Sequence, residues 1–211
     1  SGTSWESVNG LLVGAGGTGT LAVIQGASAF FTGLAGFGSE SIASDSSGVG
    51  TLMVRDAGST FTVGAVEGDD ELSGILSLGT GGTGTAIVAD GGTIAAFGIE
   101  IGDGGELIIG RDKGSSFAAP GTIAAPVSLV GPGATLSFLH SSGDYTFDST
   151  ISGDGFIHAG HGFTLLTADS SAFDGYTLVD GGATLSVNGS LGGDLMVATD
   201  GRLQGAGTVE N

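Results

Sequence analysis

A short pattern, G-x-G-T followed by an apolar run, returns three times in the first ninety residues, and few folds accommodate such a repeat. Gly17-Thr-Gly-Thr-Leu-Ala-Val23, Gly48-Val-Gly-Thr-Leu-Met-Val54 and Gly82-Thr-Gly-Thr-Ala-Ile-Val88 align without gaps. Apolar runs precede them, beginning at Leu11, Ile42 and Leu76, and a fourth, Leu107–Gly110, stands where the next copy is due. The offsets are 31, 34 and 31 residues. The longer interval contains Glu67-Gly-Asp-Asp-Glu71, which reads as a turn insertion. After each G-x-G-T run comes a further short strand, Ala29–Gly33, Thr60–Gly64 and Thr93–Gly98. Strand and glycine turn thus alternate about every nine residues. Within a strand the apolar pattern has period two, so each can turn one face inward and one outward.

The second half repeats differently. Leu129-Val-Gly-Pro-Gly-Ala-Thr-Leu-Ser137 matches Leu178-Val-Asp-Gly-Gly-Ala-Thr-Leu-Ser186 at seven of nine positions, 49 residues apart. A soft boundary near Phe117–Pro126, where Ala and Pro accumulate, divides the chain into 1–125 and 126–211 within one continuous solenoid. Connections this short leave no room for helices between strands. Propeller blades repeat at roughly 40–50 residues with aromatic signatures, and two-residue hairpins prefer Asn-Gly or Asp-Gly. A parallel β-helix fits best, because stacked rungs place like residues on like residues and bury one continuous apolar column.

Composition supports a folded chain. Forty-five glycines and a charged fraction of 12% stand beside a hydrophobic fraction of 40%, which is too apolar for disorder. The net charge of −18, with four cationic residues, excludes a nucleic-acid partner, which needs a basic footprint. It also disfavours an anionic membrane surface. With no cysteine, packing and ladder hydrogen bonds must supply all the stability.

The residues Gly14, Gly16 and Gly19, and again Gly79, Gly81 and Gly84, spell G-x-G-x-x-G. A dinucleotide site needs a helix next, to present its N-terminus to the pyrophosphate. Here TLAV and TAIV follow, which are strand sequences. A phosphate loop needs Gly-Lys-Ser/Thr, and the single lysine, Lys113, sits in Asp-Lys-Gly. GGTGT therefore marks a corner between two strands of a rung.

These residues carry a family resemblance. LLVGAGGTGTLAVIQGA from Leu11 and LSLGTGGTGTAIVADGG from Leu76 resemble repeats in the passenger regions of bacterial autotransporters, the type V secretion systems. Phe163–Gly193 resembles the passenger-associated transport repeat, and DGRLQGAGTV from Asp200 resembles its next rung. The resemblance implies a right-handed parallel β-helix displayed outside the outer membrane of a Gram-negative bacterium. A signal peptide upstream and a membrane β-barrel downstream would belong to the parent, and the barrel would be the only membrane contact. It implies an adhesin or adhesin stalk, expected to be monomeric and non-enzymatic. Partners would be a host cell-surface or extracellular-matrix protein, or sister bacterial cells. Residues 131–211 resemble the segment that often seeds passenger folding, so a purely structural spacer or folding seed is an alternative.

Other chemistry is thinly represented. His158 and His161, with Asp154 and His140 nearby in sequence, read as solvated turn histidines, since a metal site needs three or four converging ligands. Ser152-Gly-Asp-Gly155 and Gly102-Asp-Gly-Gly105 are fragments of calcium-binding nonapeptides, so adventitious Ca²⁺ is the one cofactor left open. A carbohydrate-active β-helix is the enzymatic alternative, but a glycosidase needs two carboxylates on one cleft. Arg111 and Lys113 form an isolated cationic loop. Ser-His-Asp chemistry lacks a G-x-S-x-G setting. The better functional signal is aromatic. Phe30 and Phe31 are adjacent, so one must face outward, and Phe37, Phe97 and Tyr145 are further candidates for a binding surface.

Overall fold

The computed structural model describes residues 2–7, 10–32, 35–37, 48–64, 74–111 and 117–210. Among them there is no helix, and every strand-to-strand pairing is parallel. The chain is a parallel β-helix of three-strand rungs. The first rung is β1 (Ser4–Ser7), β2 (Leu11–Val13) and β3 (Thr18–Val23), and the second is β4 (Ser28–Thr32), β5 (Ala35–Phe37) and β6 (Val49–Arg55). The third is β7 (Thr60–Gly64), β8 (Ile75–Leu78) and β9 (Thr83–Ala89), followed by β10 (Thr93–Ala96), β11 (Gly98–Ile101) and β12 (Gly105–Ile109). The fifth is β13 (Thr122–Ala124), β14 (Val127–Leu129) and β15 (Thr135–Leu139).

The sixth rung is β16 (Tyr145–Phe147), β17 (Ile151–Gly153) and β18 (Phe156–Leu166). Strand β18 runs through a corner: its first half stacks on β15, and its second half opens the seventh rung by stacking on β16. That rung continues through β19 (Asp169–Ser170) and β20 (Tyr176–Val179). The last strands are β21 (Ala183–Val187), β22 (Ser190–Leu191), β23 (Asp194–Val197), β24 (Arg202–Gln204) and β25 (Thr208–Val209). The first five rungs stack as three sheets, β1-β4-β7-β10-β13, β2-β5-β8-β11-β14 and β3-β6-β9-β12-β15. The second of these extends to β17 and the third to β18, β20 and β23. Pairings of β11 with β14 and β12 with β15 cross residue 125 without interruption.

The period-two alternation explains the core. On the third sheet Leu52, Ala86, Leu107, Leu136 and Ile157 form one inward column, and Val54, Val88, Ile109, Phe138 and Ala159 a second, all buried. The first sheet supplies Ala29, Phe61, Ile94 and Ile123. Burying a large aliphatic side chain contributes roughly 1.5–3 kcal/mol, and this column is continuous from rung to rung.

The G-x-G-T copies stack as their alignment predicts. Thr18 pairs with Val49 and Val49 with Thr83, so the offsets of 31 and 34 residues are one rung each. GGTGT ends the corner between β2 and β3 and opens the strand: Gly16 and Gly17 lie in the turn that Gly14 begins, and Thr18–Thr20 lie in β3. Gly14 there has φ of 81°, and a Cβ on it would lie 2.2 Å from the Val49 carbonyl oxygen. Only glycine meets both conditions.

Two sequence expectations need correction. Ala35, not Ile42, occupies the stack between Leu11 and Leu76; Ile42 lies outside the described residues. Leu107 stacks on Ala86 in the third sheet, not on Leu76, whose next neighbour is Ile99. That rung carries no insertion: Gly84 meets Gly105 only 21 residues on. The two LV-x-x-GATLS copies do not stack on each other. Leu136 is followed by Ile157, whereas Leu185 stacks on Thr164. The motif is a strand–turn–strand corner used at two different corners of the helix.

Candidate functional site

The outer face of the second sheet carries the candidate site. In β11, Ile99 and Ile101 point inward and are buried, so Gly98 and Glu100 face outward. Register places Ser77, Glu100, Ser128 and Ser152 in one outward column, and Ile75 beside Gly98 in the next. Rungs lie about 4.8 Å apart, so this is a short polar ladder beside an apolar strip.

Gly98 opens the strip. Its φ lies outside the left-handed region, and a Cβ built on it would meet no atom within 4 Å beyond its two chain neighbours. Neither strain nor close approach demands glycine there. The missing side chain leaves a groove of about 190 Å³, walled by Ile75 and Pro126 and flanked by Phe97, with Glu100, Ser128 and Ser152 along its polar side. Phe97 is 59% exposed although its amide is tied to the Gly74 carbonyl at 3.0 Å. The backbone at this position is therefore anchored to the preceding rung while the ring itself stays largely in water.

The turn after this sheet is acidic. Asp103, Asp154 and Asp174 are exposed on the fourth, sixth and seventh rungs. Asp103 Oδ1 accepts the Gly133 amide at 2.9 Å, and Asp154 Oδ1 accepts the Gly131 amide at 2.8 Å. The calcium-like fragments therefore lock corners of successive rungs. Among the described residues, no three His, Asp or Glu side chains converge as metal ligands.

The four aromatic candidates whose side chains are described do not form one surface. Phe97 lines the groove. Phe30 faces outward from β4, half-buried, in the column between Glu6 and Thr62. Phe31 is a correction: it is 1% exposed, faces inward, and packs between Trp5 and Phe61 at centroid distances of 4.9 and 5.5 Å. The alternation that forces one of the pair outward selects Phe30, because Phe31 falls in the inward column with Val63 and Ala96. Phe37 ends β5, and its side chain lies outside the described residues. Tyr145 is half-buried against His140 and Phe138, so it joins the wall of the core more than a surface. Burial pushes its phenol far above the ordinary range, and the Asp148 charge adds to this.

The histidines are not solvated turn residues. His158 and His161 both lie in β18. His158 Nε2 is 2.7 Å from Asp180 Oδ2, and His161 Nδ1 is 2.9 Å from the His140 carbonyl oxygen while its ring stacks on Phe117. His140 is fully buried, with Nε2 2.9 Å from Thr164 Oγ1 and Nδ1 without a partner. Burial, and then the charge of His161, lowers its pKa to about 4.

Ser137 stacks on His158 one rung away, which brings Ser, His and Asp180 into sequence across the sheet. The serine hydroxyl, however, is buried and donates to Glu106 Oε1 at 2.9 Å, so its proton is directed away from the imidazole. Nucleophilic catalysis needs the opposite geometry. The groove itself holds one carboxylate, Glu100, where glycoside hydrolysis needs two.

Sequence reasoning missed two features. One is Gly98, whose meaning depends on the emptiness around it. The other is the outward stack of Phe156 on Tyr176, at 5.9 Å and 9°; its signal was the recurrence of an aromatic at the start of adjacent third-sheet strands. Comparison with protein-family models, with curated proteins and with solved structures finds no match to this chain.

Proposed function

We propose that the chain is a surface-displayed passenger segment of a bacterial autotransporter, acting as an adhesin or adhesin stalk. It would stand on the bacterial surface, anchored through a barrel in the parent protein. Its partner would be a host cell-surface or matrix protein, or a sister cell. The parallel β-helix and the stacked G-x-G-T corners support the passenger reading. The observation that carries adhesion is the exposed Phe97 ring beside a groove that Gly98 leaves open. A groove of about 190 Å³ is below the roughly 300–1,000 Å³ of small-molecule sites, which favours docking of a partner side chain over turnover of a substrate.

The test is binding of the purified chain, at physiological salt, to host cells, immobilised matrix proteins and sister bacteria. Saturable binding to one partner, weakened by Phe97→Ser in a folded variant, supports the reading. No binding across the panel, from a chain that melts cooperatively, overturns it in favour of a spacer or folding seed.

A further inference from the structure

We infer that the Phe97 groove receives an arginine side chain from a basic partner protein, an inference that rests on the adhesive reading above. Size comes first: the groove has the dimensions of one long side chain. Its apolar walls, Ile75 and Pro126, suit an aliphatic stem, and the exposed Phe97 ring offers a π-face. Amphipathic cationic side chains bury the stem and leave the head at the polar edge. At that edge stand the Glu100 carboxylate and the hydroxyls of Ser128 and Ser152.

Charge decides the occupant. None of the described cationic side chains lines the groove. Asp103, Asp154 and Asp174 border the same sheet, and the whole chain carries −18. A second copy of the chain would meet like charge, as would an anionic lipid surface. A basic protein meets complementary charge at long range and a carboxylate at contact. Arginine suits the site better than lysine, because a planar guanidinium can stack on Phe97 while donating to Glu100 and the serine hydroxyls together.

The test uses the whole chain and a fluorescein-labelled peptide with three arginines separated by Gly-Ser pairs, read by anisotropy at physiological salt. Companion peptides carry citrulline, a neutral near-isostere, or lysine. Arginine should bind about tenfold more tightly than citrulline. That preference should be lost in Phe97→Ser and in Glu100→Gln, and kept in Asp194→Asn, which removes one charge from the distant exposed edge of β23. Equal binding of arginine and citrulline peptides overturns the inference. So does an equal loss in Asp194→Asn and Glu100→Gln, which would assign binding to net charge alone. Cell or matrix binding that Glu100→Gln leaves undiminished overturns the inference while the adhesive reading stands. Absence of all panel binding overturns the adhesive reading, and the peptide titration then decides the inference separately.

Discussion

Asp154 Oδ1 accepts the amide hydrogen of Gly131 at 2.8 Å, joining the corner of one rung to the corner of the next. The same device recurs where Asp103 accepts from Gly133 and Asp56 accepts from Gln25. Parallel ladders bond strands to strands, but corner amides fall outside them. A carboxylate one rung away satisfies such an amide and keeps its charge in water. Asp154→Ala should lower unfolding stability by about 1 kcal/mol, and Asp154→Asn by less. Urea melts of the three proteins would measure it.

The adjacent phenylalanines make opposite predictions. Phe31→Ala should cost about 3–5 kcal/mol, the usual loss for a fully buried aromatic. It would also leave Trp5 without its edge-on partner. Phe30→Ser should change stability by less than about 1 kcal/mol, as outward substitutions do. Thermal melts that rank the two equally would contradict the inward assignment of Phe31.

Two glycines should respond with opposite sign. Gly14→Ala forces a Cβ toward the Val49 carbonyl at a positive φ, and should destabilise by about 2 kcal/mol or more. Gly98→Ala meets open space, and should be neutral or stabilise by about 0.5 kcal/mol through the unfolded state. Denaturant midpoints of the two variants test this directly.

Acid should weaken the protein through His140. The folded chain holds this imidazole at about 4, against 6.5 for an ordinary histidine. Between those values the unfolded chain binds the proton more readily. Stability is therefore fully present above pH 6.5, falls as pH drops toward 4, and levels off below it. The loss from this residue should reach about 2 kcal/mol by pH 5. His140→Gln, which can still bond Thr164, should flatten that part of the profile relative to the parent. Parallel profiles for the two proteins would show that His140 charges freely in the folded state.

The fold was legible in sequence because a parallel β-helix stacks chemically like positions. Leu52 on Ala86 and Val54 on Val88 follow directly from aligned G-x-G-T runs. Rung length was less legible. The register advances by 31, 34 and then 21 residues along the third sheet, so Leu107 could not be assigned to its sheet by counting, and the turn insertion read at Glu67–Glu71 lies outside the described residues. The site was legible only in part. Phe97 stands out in the sequence as an aromatic candidate, but it occupies the bend between β10 and β11, where strand alternation does not set its direction. The groove follows from what surrounds Gly98 in three dimensions, and glycine is so frequent in this chain that one more carries no signal.

The most direct test of the adhesive account is partner binding by Gly98→Leu. The new side chain projects into open space on the outer face, so the fold and its melting transition should be retained while the groove is filled. The account predicts that saturable binding to the cell or matrix partner falls by about tenfold or more. A folded Gly98→Leu protein that binds its partner as tightly as the parent would contradict it.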